Sequence, residues 1–481
     1  MPSCRHHIFF STLSYGVLFH LLVSAHVYAQ DPIPFEYLLF EAHPLSGYTK
    51  PAQAPASDPQ AGLYIFPSDE KPATDTTIDL YLDSITETEA NDGPFASVLL
   101  EQYLSLGKAY QQNDMPAEAI ETLEKAEYIS RINSGLYDSE QFVIVENLIA
   151  SYLANGEPDK ASEKMQYLLF LSQQAFGRES AQAVPILRKL GDWQMAAFSS
   201  VIYGETPFTI SINAGPNSSP RDLAFGNLYL AQNSYYRAIT NLVANRRYND
   251  PELDDLETKL IEAIFLSANR QGLLDNPDFY MDRRINSTGS RIRMDFRGFS
   301  ISYINGRNAY QRLRLYEEHK ENADPVKVAQ AIIGLADWCL LFNRRPLALR
   351  AYEEAFTYMH NHNIPEDVIA ELLHPQLPHQ LPQFTALPHS RKKFAIGPDA
   401  PLDFSGYVDV SFQLSRYGNV HDLKITNVNG SVTKNMERRL RRLMRASPFR
   451  PRIEEGKTVE SEVSMRYYFT DVRNTVQTAA L

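Results

Sequence analysis

Apolar residues recur at helical spacing from about residue 93 to residue 363. Large and small side chains alternate most regularly in 103–126, at the intervals expected of two packed helices. The same steps return after 42 residues, and shorter matches follow at 190–191, 225–242 and 335–355. A pattern that repeats at this length is typical of stacked helix pairs. The spacing therefore predicts a helical-repeat region over 93–363.

Small residues in this pattern mark the points where two helices approach closely, as Gly107 and Ala119 do in the first unit. Large apolar side chains fill the space on either side. One helix pair cannot bury its own apolar face, so consecutive pairs must stack. The predicted packing residues are Leu106, Gly107, Tyr110, Ala119, Leu123, Ala126, Leu148, Tyr152, Ala161, Leu335, Ala336, Ala348, Tyr352 and Ala355.

This arrangement resembles the tetratricopeptide repeat (TPR) family, and the 42-residue period resembles the longer repeats of kinesin light chains. The resemblance implies an α-solenoid whose concave face binds an extended peptide or a partner helix. Residues 271–308 fit no repeat helix and are predicted to form an insertion or a degenerate unit. Candidate groove residues, chosen by their position on the first helix of a pair, are Gln102, Lys108, Asn147 and Ser151.

The spacing changes from helical to alternating beyond a Pro-rich linker at 364–401. Alternation predicts a strand over 408–414, a turn after it and a second strand. A helix begins near Ser431 and a last strand follows, before a tail at 471–481. The chain is therefore predicted to be mostly α: an α-solenoid followed by a small α+β domain at 402–470 with strand-strand-helix-strand order.

Two surfaces of this small domain are candidates for binding. If the last strand lies at an edge, its unpaired N–H and C=O groups can accept a further strand. The opposite side of the predicted helix is basic, and it could bind anionic lipid or the acidic solenoid, or simply be solvated. The candidate strand-edge residues are Val459, Ser461, Val463, Met465, Tyr467 and Phe469. The candidate basic surface consists of Arg438, Arg441, Arg442 and Arg445.

The small domain resembles the TonB C-terminal domain family through "GYVDVSFQLSRYGNVHDLKITNVNG" and "SPFRPRIEEGKTVESEVSMRYYF". The resemblance implies a three-stranded antiparallel sheet with helices on one face, to which a partner peptide adds a strand. TonB proteins also have an inner-membrane anchor and a long Pro-rich spacer. In this chain the predicted helical-repeat region stands in place of the spacer. The matching residues are Gly406, Val408, Phe412, Gly418, Val420, Ile425, Leu440, Phe449, Pro451, Gly456, Val459 and Phe469.

The N-terminus has the pattern of a secretory signal peptide over 1–29, with an apolar stretch from Ile8 to Val23 and a small residue at Ala29. The alternative is an uncleaved inner-membrane anchor. An N-terminal extension with a linker rich in Pro, Ala and Asp is predicted at 30–92. Cys4 would leave with the signal peptide, so the exported chain would have no internal disulfide.

The net charge and the lack of known catalytic motifs argue against several classes of function. A net charge of −12 argues against a nucleic-acid-binding protein. The segment from Pro401 onward is basic, with 13 Lys or Arg against 9 Asp or Glu, which suggests that the two parts of the chain have different partners, none of them a nucleic acid. The sequence contains no P-loop, nucleophile elbow or HExxH motif. We therefore expect no catalytic residue, no metal and no cofactor. Membrane contact is expected only through residues 8–28 or the basic helix face.

Three functions fit these patterns. The first is a periplasmic adaptor that binds proteins or peptides, with an outer-membrane or periplasmic protein among the partners. The second is a TonB-type energy transducer for outer-membrane transport, which requires the N-terminal segment to stay as an anchor. The third is a structural role in envelope maintenance. Under the first, deleting residues 402–481 should remove one interaction and leave the solenoid folded.

Overall fold

The structure is a computed structural model, and it divides into two compact units, Met1–Ile33 and Pro34–Leu481. All of the residues that it describes belong to the second unit. They are 38–43, 75–202, 220–268, 296–375, 378–379, 381, 406–430, 432–446 and 448–471. The predicted signal peptide and most of the predicted N-terminal linker lie outside these ranges. None of the described helices is both long and apolar enough to cross a membrane.

Helices make up most of the described chain up to residue 373. Several of them have Pro at the first or second helical position, where a backbone N–H would have no partner within the helix. The helices are α1 Asp75–Asp92, α2 Val98–Gln112, α3 Pro116–Asn133, α4 Gln141–Ala154, α5 Pro158–Phe176, α6 Val184–Ile202, α7 Pro220–Ala244, α8 Glu252–Ala268, α9 Phe296–His319, α10 Pro325–Leu341, α11 Arg345–Asn361 and α12 Glu366–Leu373.

Consecutive helices pack as pairs, α2 with α3, α4 with α5, α6 with α7, α8 with α9 and α10 with α11, and each pair contacts the next. Close approach explains the small residues. A Cβ on Gly107 would lie 2.7 Å from Cγ of Leu123, and one on Gly191 would overlap the ring of Tyr235. The predicted packing residues are buried, apart from Tyr110 and Leu335, which are half-buried. The prediction of stacked helix pairs is confirmed.

The pattern at 225–242 was wrongly predicted to be a helix pair. It lies within the single helix α7, which packs against α6. Ala238 follows Tyr229 by nine residues, which is about two and a half helical turns, so the two side chains lie on opposite faces. Ala238 is accordingly buried, whereas Tyr229 is 69% exposed. A nine-residue step fits a turn between two helices and a single long helix equally well.

Two segments can be compared with the prediction. The segment 271–308 is predicted to be an insertion or a degenerate unit, and the helix α9, which begins at Phe296 and packs against α8 and α10, fits a helix of a repeat unit. Residues 271–295 lie outside the described ranges. Helical structure begins with α1 at Asp75, within the segment predicted to be an extension, and α1 packs against α2.

The C-terminal region forms a sheet with one helix on one face. Its order is β1-β6-β2-β3, and every pairing is antiparallel. The core contains Val408, Val410, Phe412, Leu440, Met444, Phe449, Val463 and Met465. The elements are β1 Leu38–His43, β2 Gly406–Leu414, β3 Val420–Gly430, α13 Lys434–Ala446, the hairpin strands β4 Arg452–Glu454 and β5 Lys457–Val459, and β6 Ser461–Asp471. The predicted strand-strand-helix-strand order is confirmed, with a fourth strand added to the sheet.

Glu262 on α8 makes the stability of the solenoid depend on pH. Burial, with a smaller contribution from Asp192, raises the pKa of this carboxyl group from 4.5 to about 7. The folded state therefore binds this proton more tightly than the unfolded state. The resulting stability is present below pH 4.5 and is lost as the pH rises to about 7.

We expect Glu262→Gln to raise the free energy of unfolding by about 2 kcal/mol at pH 8 and to change it little at pH 4. Urea unfolding at the two pH values measures the effect. The matched control is Glu366→Gln, because the Glu366 side chain is 80% exposed. Equal effects of Glu262→Gln at both pH values would contradict the prediction.

Candidate functional site

The last strand of the sheet is bordered on both sides. Strand β2 pairs with it from Ser461 to Phe469. On its other side β1 pairs with its second half, from His43 opposite Arg466 to Leu38 opposite Asp471. Strand addition is predicted only if this strand lies at an edge, and β1 already occupies that edge along 466–471. Among the described residues, no strand pairs with the outer side of 461–465.

The predicted edge residues divide into different roles. Val463, Met465 and Tyr467 point into the core, so they support the sheet and would not contact an added strand. Val459 belongs to the separate strand β5, where it pairs with Arg452. The backbone of Phe469 lies opposite Phe40 of β1. The strand-accepting groups are therefore backbone N–H and C=O groups.

A row of polar side chains fixes the register of β6 on its neighbours. Arg466 donates from Nε to Oδ1 of Asp409 at 2.6 Å and from Nη2 to Oδ2 at 3.0 Å. Asn427 of β3 donates to the same carboxylate at 3.1 Å. The hydrogen bond from Arg466 is the main reason that the pKa of Asp409 lies below its usual value. Arg466 also lies opposite His43, at the end of the stretch of β6 that pairs with β1.

A buried ion pair joins the solenoid to the terminal domain. Arg450, which is 6% exposed, donates to Asp337 of α10 from Nε at 3.1 Å and from Nη2 at 2.5 Å. Its Nη1 donates to the backbone O of Leu372 at 2.9 Å. Tyr352 also donates to Asp337, at 2.6 Å. These contacts hold α10, α11, α12 and the segment before β4 together.

A groove on the solenoid ends at this ion pair. It has a volume of about 420 Å³ and is lined by residues of α8, α9, α10 and α12 and by His379 and Arg450. Burial, then the charge of Arg450, lowers the pKa of His379. The groove residues predicted from position lie elsewhere. Gln102 bonds to Ser84 and Thr88 of α1, and Ser151 is buried. Lys108 is exposed, and Asn147 bonds within its own helix.

The predicted basic surface is brought together in one cleft. It has a volume of about 840 Å³ and lies between α13, the β2–β3 turn and the start of α11. The residues that line it are Arg345, Ser415, Tyr417, Asn419, Val420, His421, Arg438, Arg441, Arg442 and Arg445. The sequence identified the four arginines of α13, whereas Arg345 joins them only through the fold. In the described part of the chain, no group of His, Cys, Asp and Glu could hold a metal ion.

Comparisons with known proteins give limited information. No family model matches the chain, and no curated protein matches it. The resemblance to TonB C-terminal domains is therefore not confirmed. Two solved structures of the nearly identical TPR-like repeats of a kinesin light chain protein from Podosopora anserina are similar to it. One, a variant with a single substitution, is 14% identical and covers 55% of this chain and 97% of its own, with a TM-score of 0.31. The other is 13% identical and covers 56% of this chain and 99% of its own, also with a TM-score of 0.31.

Proposed function

We propose that this protein is a non-enzymatic interaction scaffold of the periplasm, in which the terminal sheet binds an extended peptide by strand addition. The observation that carries the proposal is the pairing of β1 with β6. Six residues more than 400 positions upstream lie against this edge in antiparallel register. An edge that accepts one distant segment through its backbone can accept another of similar sequence.

The solenoid supplies a second binding surface in this proposal. Its groove at α8 to α10 has both apolar and polar lining residues, among them Ile261, Ile333 and Gln330. Stacked helix pairs present such concave surfaces to peptides and partner helices. The ion pair between Arg450 and Asp337 places this groove next to the terminal domain. One partner could therefore be held in the groove while the sheet binds another.

Strand addition is testable by opening the edge with proline, which cannot donate a backbone hydrogen bond. Neighbouring residues of a strand direct their N–H groups to opposite sides. Of Leu39 and Phe40, therefore, only one directs its N–H group toward β6. Proline at that position removes a hydrogen bond between β1 and β6, and proline at the other position is the matched control. We expect one variant to bind a fluorescent peptide of residues 36–45 at least about tenfold more tightly than the unaltered chain.

Fluorescence anisotropy measures this binding, with a scrambled peptide as the second control. Equal, weak binding by both proline variants and by the unaltered chain would show that the edge does not exchange strands. The proposal of strand capture would then fail, whereas a solenoid scaffold would remain.

The proposed location rests on the signal peptide pattern of residues 1–29. The mass of the N-terminus after export, together with separation into soluble and membrane fractions, tests it. A soluble chain that begins at Gln30 supports a periplasmic scaffold. A membrane-bound chain that keeps residues 1–29 supports the anchored transducer instead.

A further inference from the structure

We infer that the arginine cleft beside α13 binds a ligand that carries two or more phosphate groups. This inference does not depend on strand addition, because the cleft lies between α13, the β2–β3 turn and α11. It concerns a second ligand class for the terminal domain.

The spacing of the arginines sets the size of the ligand. Arg438, Arg441, Arg442 and Arg445 follow one another at steps of three, one and three, which places them on one side of the helix. From the first to the last, the helix rises by about 10 Å. A single phosphate cannot contact both ends of such a row. Two or more phosphate groups along one molecule or one surface can.

The arrangement costs helix stability and therefore needs an explanation other than folding. Like charges three or four residues apart destabilise a helix by a few tenths of a kcal/mol per pair. None of the described residues that line the cleft is Asp or Glu. Within the described part of the chain, Arg438 and Arg445 form no ion pair, in contrast to Arg450 and Arg466. Solubility alone would not require the charges to lie side by side in one cleft.

Two side chains of the cleft are already oriented. Arg441 donates from Nη1 to the backbone O of Leu423 at 3.2 Å, which holds its guanidinium group against β3. Arg345 lies over the ring of Tyr417, with its Cζ 5.1 Å from the ring centroid. Fixed guanidinium groups lose less conformational entropy when they form paired hydrogen bonds to phosphate oxygens.

The fold also argues against the solenoid as the natural occupant. The solenoid residue that lines the cleft is Arg345, which has the same charge as the helix. Among the described residues, the solenoid therefore places no acidic group in the cleft. Phosphate groups match the cleft because their oxygens accept the paired hydrogen bonds of a guanidinium, and a chain or a surface of phosphates repeats along the row of arginines. A lipid surface and a soluble polyphosphate share this chemistry.

The test uses the full exported chain and two probes, sodium tripolyphosphate and vesicles of phosphatidylglycerol. Isothermal titration calorimetry measures the first, and co-sedimentation measures the second against phosphatidylcholine vesicles. We expect Arg438→Gln/Arg445→Gln to weaken binding at least about tenfold. The matched control, Lys327→Gln/Arg350→Gln, removes two exposed charges from the solenoid and should leave binding unchanged.

The outcomes are distinct. Binding of vesicles that Arg438→Gln/Arg445→Gln weakens, with no binding of tripolyphosphate, supports the inference with lipid as the source. Binding of tripolyphosphate alone supports it with a soluble ligand. Binding of neither probe overturns it, and so does an equal loss in the control variant. Binding of poly-glutamate as tight as that of tripolyphosphate would also overturn the assignment to phosphate.

Discussion

Arg450→Met is expected to lower the free energy of unfolding by about 3 to 5 kcal/mol, because it leaves the Asp337 carboxylate buried without its counter-ion. Asp337 is 6% exposed. Methionine fills much of the same volume, so the loss measures charge and hydrogen bonding more than packing. Urea unfolding followed by tryptophan fluorescence suits this test, since Trp338 is the next residue and is fully buried.

The matched control removes all the polar groups of the cluster together. In Asp337→Leu/Tyr352→Phe/Arg450→Met no buried charge is left, and replacing a buried ion pair by apolar residues is often neutral. We expect this triple variant to be more stable than Arg450→Met alone. A loss below about 1 kcal/mol for Arg450→Met would contradict the prediction, because it would mean that water reaches Asp337.

This ion pair changes the expected result of truncation. The sequence divides the chain at a Pro-rich linker and suggests that the solenoid folds without residues 402–481. The linker segment contains the helix α12, and Arg450 binds both its Leu372 and Asp337 of α10. Truncation would therefore remove the counter-ion of Asp337 at the end of the solenoid, at a cost in stability. The solenoid can fold without residues 402–481 only if this loss of stability is small.

Local patterns made the solenoid predictable. Each helix pair contains its own packing contacts within about 40 residues, so a repeat in sequence becomes a repeat in structure. The alternating residues of β2 were predictable for the same reason, since a sheet buries every second side chain. The wrong prediction of a helix pair at 225–242 has a local cause as well. Gly226 matches the repeat pattern, but no atom lies within 4 Å of the Cβ that it would carry, so this glycine does not mark a close approach of two helices.

Contacts between distant residues were not predictable in this way. Strand β1 is six residues long, carries no periodic signal of its own, and pairs with a strand at the other end of the chain. The cleft likewise gains Arg345 only when the solenoid meets the terminal domain. One signal was available for the ion pair. Asp337 stands inside an apolar run and Arg450 between Phe449 and Pro451, and a buried charge needs a partner of opposite sign.

A further large effect is expected at Gly418, in the turn between β2 and β3. Its φ is +75°, and an added Cβ would overlap the carbonyl O of Phe449. The Gly418 carbonyl accepts the N–H of Phe449 at 2.8 Å, so the two backbones are already held together. We expect Gly418→Ala to lower the stability of the terminal domain by more than about 3 kcal/mol, because neither backbone can move without losing this contact.

Two other glycines distinguish the effect of a positive φ from the effect of steric overlap. Gly93 also has a positive φ, +91°, but no atom lies within 4 Å of its would-be Cβ, so Gly93→Ala should cost only about 1 kcal/mol. Gly226 is exposed within α7 and has no such neighbour, so Gly226→Ala should add about 0.5 to 1 kcal/mol.

Hydrogen exchange localises the loss. In Gly418→Ala the amides of β2 and β3 should lose protection, while those of α2 to α5 keep it, because the solenoid residue described against this turn, Arg345, belongs to α11. A cost for Gly418→Ala equal to that for Gly93→Ala would mean that only the backbone angle matters. The Phe449 segment could then shift away from the turn, and Arg450, the next residue, would be held by Asp337 rather than by the sheet.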